Sequence, residues 1–255
     1  MPKRRYEEMR PHEIVAERRK NAIAYLPIGG LEWHGEHLAV GNDTVKAHAL
    51  CLLAAERSGG LVMPALFWGE VREGMELMET GHDPGDRIKE KMQLPRENFR
   101  AGYMGRSVEE MAESYDRLLL HIYRQLESLG FKVIIVVAGH YPLLNYARRT
   151  AEQFNAERPA RVFACIGFDL VTDLGYRGDH AAKWETSLLW ALRPELVDMS
   201  RLPADPSQPL IGVGGVDPRK EASAGFGWTA AGHVADRMAA KARELLAEVE
   251  GEASS

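Results

Sequence analysis

Residues 132–142 read KVIIVVAGHYP, and the fold follows from them. From Val133 to Ala138 every side chain is apolar and most are β-branched. An unbroken apolar strand suits a parallel sheet covered on both faces, where no side chain meets water. Working outward, residues 21–28 (NAIAYLPI) and 161–167 (RVFACIG) predict two more strands. Residues 61–67 (LVMPALF) predict a fourth, and its internal proline marks it as an edge or an irregular strand. Helical periodicity fills the intervals at 45–57, 108–129, 143–157, 183–191 and 234–250, with Gly130 ending the second of these as a C-cap. Strands alternating with helices predict an α/β domain with a mainly parallel sheet and helices on both faces.

Two stretches interrupt that rhythm. Residues 69–107 are long, charged and punctuated by Gly and Pro, as in a lid, a binding loop or an oligomer contact. Residues 203–224 are also rich in Pro and Gly. No repeat or low-complexity linker divides the chain, so residues 1–255 are expected to form one domain carrying a loop insertion at about 69–107.

Composition narrows the function. With 45% hydrophobic residues, the 255-residue chain can build a real core. A net charge of −5 argues against nucleic acid as the main partner. No apolar run approaches the roughly 20 residues of a membrane helix, and the N-terminal MPKRRYEEMRPHEI has no apolar leader region. The two cysteines, Cys51 and Cys165, lie in apolar segments and read as buried free thiols, which fits a reducing cytoplasm.

Three clusters could carry chemistry. Residues 26–43 (LPIGGLEWHGEHLAVGND) set Glu32, His34, His37 and Asp43 just beyond the first strand. Glu32 and His34 are two apart, so in extended backbone they leave the same face. His140 follows the central strand in the same way, and sites in open α/β sheets form beyond the carboxyl ends of strands. Residues 178–187 (GDHAAKWETS) add Asp179, His180 and Glu185 before a helix. Mixed carboxylates and imidazoles suit zinc, manganese or iron(II) rather than a thiolate or all-oxygen site. Plainer roles exist for each. Asp43 could be an Asx turn or helix cap, and Glu185 a first-turn acid favoured by the helix dipole. His37 reads as a supporting donor or a structural residue. The glycine-rich residues 212–218 (GVGGVDP) superficially suggest a phosphate loop, but they lack the strand before and the helix after that such a loop needs.

The first cluster resembles the signature of the creatininase (creatinine amidohydrolase) family: LPIG, then E-x-H-G-x-H, then Asp. The resemblance continues in order through residues 61–69 (LVMPALFWG), 136–142 (VVAGHYP) and 179–198 (DHAAKWETSLLWALRPELVD). It is poorest in residues 70–107, where only Gly81-His82-Asp83-Pro84-Gly85 stands in for the family's Pro-Gly-Thr segment. It implies a three-layer α/β/α sandwich, often hexameric, with a two-metal site that hydrolyses a small substrate. Glu32, His34, Asp43 and His140 match metal ligands, with Asp43 bridging the two ions. The family's type pattern has Glu after His-Tyr, whereas this chain has Pro142. The resemblance therefore makes Glu185, of the ETS motif, the fifth ligand. His180 matches the catalytic histidine and Tyr141 a substrate-contacting position. Tyr176 and Arg177 fall where the family places a substrate-binding Trp-Asp pair. An Arg in place of that Asp argues against creatinine and for a carboxylate, enolate or polyol oxygen. The implied activity is a metal-dependent hydrolase in which an activated water attacks the carbonyl of a small cyclic amide. The alternatives are opening of a keto-inositol (inosose-like) ring, or a non-catalytic metal- or nucleotide-binding protein.

Overall fold

The computed structural model describes residues 3–69, 87–100 and 102–252. Four strands form one parallel sheet: β1 (Ile23–Ile28), β2 (Leu61–Val62), β3 (Val133–Ala138) and β4 (Arg161–Ile166), in the order β2-β1-β3-β4. The register pairs Ile28 with Ala138 and Ala138 with Ile166, so three strands end level at their carboxyl edge. Beyond that edge lie the residues that carry chemistry.

Helices cover both faces, as period-two alternation requires. Ala24, Leu26, Ile134 and Val136 point to α4 (Val108–Ser128) and α5 (Tyr141–Glu157), packing on Leu119, Tyr123, Ala147 and Phe154. Ile23, Tyr25, Ile135 and Val137 point to the other face, against α2 (Asn42–Ser58), α6 (Lys183–Leu192) and α8 (Ala224–Glu252). Sheet and helices make the three α/β/α layers expected. Full burial of side chains such as Ile135 and Leu188 contributes about 2 kcal/mol each.

Boundaries moved for local reasons. β2 stops at Val62 ahead of Pro64, which has no N–H to give, and only Leu66 returns to pair with Ile28. A charged helix, α1 (Pro11–Lys20), precedes β1, and none of its residues is buried. α4 ends as expected, with Gly130 at φ 88° donating its N–H to the Glu127 carbonyl. Within the expected loop, residues 87–91 form the short α3 (Arg87–Lys91), and Lys91 pairs with Glu36 at 2.9 Å. Residues 70–86, including His82, and residue 101 lie outside the described residues. In residues 203–224 the structure has the short α7 (Pro218–Glu221), capped by the Asp217 side chain.

Candidate metal centre

Two elements meet tightly at the carboxyl edge. A Cβ added to Gly139 would lie 2.0 Å from the Asp43 carbonyl oxygen. Only a glycine lets the end of β3 come this close to the first turn of α2. That contact brings His140, the next residue, to Asp43: Nδ1 stands 3.2 Å from Asp43 Oδ2 and 2.8 Å from Glu32 Oε2. Asp43 lies inside the first turn of α2 and Gly41 is the N-cap, so Asp43 does not cap the helix.

The other oxygen of Asp43 faces a second group. Its Oδ1 is 3.0 Å from His34 Nε2, which is also 3.3 Å from Glu185 Oε2. Glu32–Asp43–His140 and His34–Asp43–Glu185 are thus two adjoining triads that share Asp43, each with ligand atoms within 4.8 Å of one another. Glu32 and His34 also approach His180. These three form a third group whose ligand atoms lie within 4.8 Å of one another, so Glu32 and His34 also share one candidate position.

The surroundings orient these groups. His34 Nδ1 donates to the backbone carbonyl of Glu32 at 3.2 Å, which orients the ring and turns Nε2 towards Asp43 and Glu185. His180 Nε2 donates to the Trp33 carbonyl at 2.9 Å, so Nδ1 turns towards Glu32 Oε1, 3.8 Å away. The His180 and His34 rings stack with centroids 4.5 Å apart. Behind His180, residues 212–218 form a brace: Gly214 and His180 exchange backbone hydrogen bonds of 2.9 and 2.8 Å. Asp179 accepts the N–H groups of Trp184 and Glu185 at 2.7 and 3.2 Å and so anchors the start of α6. His37 Nε2 meets Thr186 Oγ1 at 2.9 Å, a supporting role.

Electrostatics match a cation site. Burial alone would lower the His140 pKa, but hydrogen bonding and charge from Asp43 and Glu32 outweigh it and lift it to about 10. Glu185 is held down to about 2, because Lys46 and His34 outweigh the burial that would raise it. Burial, then the Glu185 charge, pushes Asp179 up to about 6. Both Glu32 carboxylate oxygens, His34 Nε2 and Asp43 Oδ2 are buried, and they face the other carboxylates and imidazoles of the cluster. Such groups are costly unless a cation completes them, so the donor set fits divalent metal.

One cleft of about 530 Å³, counted with its mouth, opens onto the centre. Glu32, Asp43, His140, His180 and Glu185 line it, and at the mouth Tyr141 stacks on Phe168 at 6.0 Å. Tyr176 and Arg177 are not among its lining residues. Tyr176 packs instead on Trp184, Phe226 and His233, and Arg177 is exposed. The structure brings Tyr141 to the cleft and does not bring Tyr176 or Arg177 to its described lining. Among the lining residues not singled out from sequence, Phe168 and Lys46 carry the most chemistry. Phe168 follows β4 as His140 follows β3, which was the available signal. Lys46 is buried between Asp43 and Glu185. Its signal was a lysine among Asp43, Ala47, Leu50 and Ala54, on the apolar stripe of α2.

Comparison with known proteins places the fold and the family. The chain is 28% identical over 219 residues to a creatinine amidohydrolase of Pseudomonas putida, covering 80% of this chain and 78% of the relative. A zinc–zinc form of a mutant creatininase superposes with a TM-score of 0.69 at 22% identity, covering 94% of this chain and 96% of that one. A manganese form of creatininase gives 0.67 at 23% identity, covering 94% and 97%. The family model described as "Creatininase: Creatinine amidohydrolase" matches residues 7–81 and 103–253, and the chain belongs to that family.

Proposed function

We propose that the chain is a metal-dependent hydrolase of the creatininase type, acting on the carbonyl of a small cyclic amide or related C–N substrate. The observation that supports this is the pair of triads sharing Asp43 on the wall of one cleft, with His180 beside them. Glu32, His34, Asp43, His140 and Glu185 would hold two divalent ions, zinc, manganese or iron. Bound there, such ions supply Lewis acidity towards a carbonyl and lower the pKa of a water.

The chain's own residues supply the rest. His180, with Nε2 committed to the Trp33 carbonyl, presents Nδ1 to the cleft, where it can take a proton from water and return it to the leaving nitrogen. The stacked Tyr141 and Phe168 form a flat wall against which a ring can rest. Leu50, Ile166 and Leu188 line the inner cleft and keep bulk water out. Arg177 is exposed and off the lining of the cleft, so it does not choose the substrate class, and keto-inositols enter the test as the competing class.

We also propose a homo-oligomer in a reducing cytoplasm. Trp68, Met104 and Leu118 are exposed around one shallow depression, an apolar surface suited to a copy of the chain. Cys51 and Cys165 are buried free thiols. Among the described residues no helix is long and apolar enough to cross a membrane.

The test is a hydrolysis screen of the zinc- or manganese-loaded protein over cyclic amides, creatinine included, and keto-inositols. Turnover of a cyclic amide is expected, with His180→Asn lowering kcat by about 10²–10⁴-fold at unchanged metal content. Turnover of keto-inositols alone would move the substrate class. Full activity in His180→Asn would remove His180 from the mechanism.

A further inference from the structure

The two triads are not equivalent, and the difference lies in Lys46. In the first, Glu32 Oε2 and Asp43 Oδ2 face the His140 imidazole at 2.8 and 3.2 Å and Glu32 Oε1 faces His180 at 3.8 Å, all of them candidate ligands. In the second, both Glu185 oxygens are already engaged. Oε1 takes the Lys46 ammonium, and Oε2 accepts the Ala181 N–H at 2.8 Å. Lys46 Nζ is also 3.6 Å from Asp43 Oδ1, the oxygen that faces His34. That oxygen accepts the Asn42 side-chain N–H at 3.3 Å as well. One cluster of donors is therefore faced by its own imidazole alone, while the other also holds a lysine ammonium that is no ligand.

Lys46 cannot easily move away. Its side chain is 6% exposed, and it sits on the buried stripe of α2 against α6. Asp179 is the next acid facing it, but that carboxylate is committed to the N–H groups opening α6. A divalent ion arriving at the His34 side must share Glu185 with an ammonium a few ångströms away, in a site screened from water. Like charges at such distances repel strongly at interior permittivity. An ion arriving at the Glu32 side meets carboxylate oxygens faced by imidazoles, His140 at 2.8 Å and His180 at 3.8 Å, which can give up a proton and turn a lone pair to it.

We propose that Lys46 makes the two positions unequal: the Glu32–Asp43–His140 position loads first and tightly, and the His34–Asp43–Glu185 position loads second and weakly. This rests on the metal-centre reading above and adds a residue that sets the order and affinity of loading. Lys46 acts through Glu185 and Asp43, so it is a positioning residue rather than a ligand.

The experiment is calorimetric titration of chelator-stripped protein with Zn²⁺, with bound zinc counted by elemental analysis. Wild type should bind in two steps whose dissociation constants differ by about tenfold or more. Glu32→Gln should abolish the tight step and His34→Gln the weak one. Lys46→Met, of similar length and uncharged, should tighten the second step by about tenfold or more and leave the first unchanged. Lys46→Arg, which keeps the charge, should behave as wild type. Circular dichroism and melting establish that each variant is folded, and Lys46→Gln replaces Lys46→Met if the latter is not. Equal steps in wild type overturn the proposal while leaving the metal centre intact. A second step in the neutral variant that is unchanged or weaker also overturns it, since Lys46 would then only hold Glu185 in place. Failure of wild type to bind zinc at all removes the metal centre and this inference together.

Discussion

Gly139→Ala is the sharpest test of how the site is assembled. The new methyl would lie 2.0 Å from the Asp43 carbonyl oxygen and 2.4 Å from its carbon. Ordinary carbon–oxygen contact needs more than 3 Å, so one partner must retreat by about an ångström. Neither is free to do so. β3 is paired residue for residue with β1 and β4, and α2 packs its buried face on the sheet. Overpacking typically costs about 1–3 kcal/mol, and a clash with backbone belongs at the upper end. Gly139 has no positive φ, so alanine there also gains about 0.4–1 kcal/mol from a less flexible unfolded chain, which offsets part of the loss. The net expectation is about 2 kcal/mol, or roughly 4–8 °C in Tm for a chain of this length. An ångström of retreat also separates Asp43 from His140, so zinc bound at the first position should fall. Gly30→Ala is the control, because a Cβ there meets nothing within 4 Å. It should melt within about 2 °C of wild type and keep its zinc. The assay is thermal melting of the metal-free proteins together with zinc counting of the loaded ones. If Gly139→Ala melts like Gly30→Ala and binds zinc normally, the close approach of β3 and α2 does not build the site.

Two further outcomes concern charge. Glu185→Gln leaves the buried Lys46 ammonium with Asp43, at 3.6 Å, as its nearest carboxylate, and should destabilise the metal-free protein by about 3 kcal/mol in urea unfolding. A change below about 1 kcal/mol would mean that Lys46 reaches solvent when its partner is lost. The His140 pKa rises from 6.5 to about 10 in the folded chain, so the folded state keeps a proton that the unfolded state has lost. Its contribution is complete below pH 6.5 and disappears as the pH climbs through about 10. Metal-free protein should therefore lose up to about 1.4 kcal/mol of stability per pH unit across that window. Metal-loaded protein, with His140 neutral as a ligand, should show no such slope. Parallel melting curves of the two forms from pH 7 to 9 would contradict the placement of His140 in the centre.

Much of this was legible locally. β1, β3 and β4 are continuous apolar runs, and a strand buried on both faces leaves no other pattern. Glu32, His34, His140 and His180 follow strand ends or precede a helix, so their neighbourhood could be read from chain order. Glu185 is both a first-turn acid of α6 and a member of the second triad, so the two readings of it coincide. Other features misled. Residues 224–233 contain three glycines and a tryptophan and fall outside the helix expected at 234–250, yet α8 begins at Ala224. Gly227 is there because a Cβ would strike the Ser187 carbonyl at 1.9 Å, where α8 crosses α6. A glycine that permits close packing has the same letter as one that breaks a helix. α1 went unread because its face buries nothing, so it carries no apolar stripe to detect.

The order of apolar runs and the three acidic and histidine clusters belong to the primary structure, because strand burial and residue chemistry are local properties. The pairing of those clusters does not. Lys46 and Glu185 are separated by 139 positions, and Gly139 touches Asp43 from another element altogether. Periodicity states the face by which a side chain leaves its helix or strand. It does not state what stands across from it. Whether a buried lysine meets a carboxylate, and whether Arg177 meets a cleft or solvent, was settled by how layers pack once the sheet had formed.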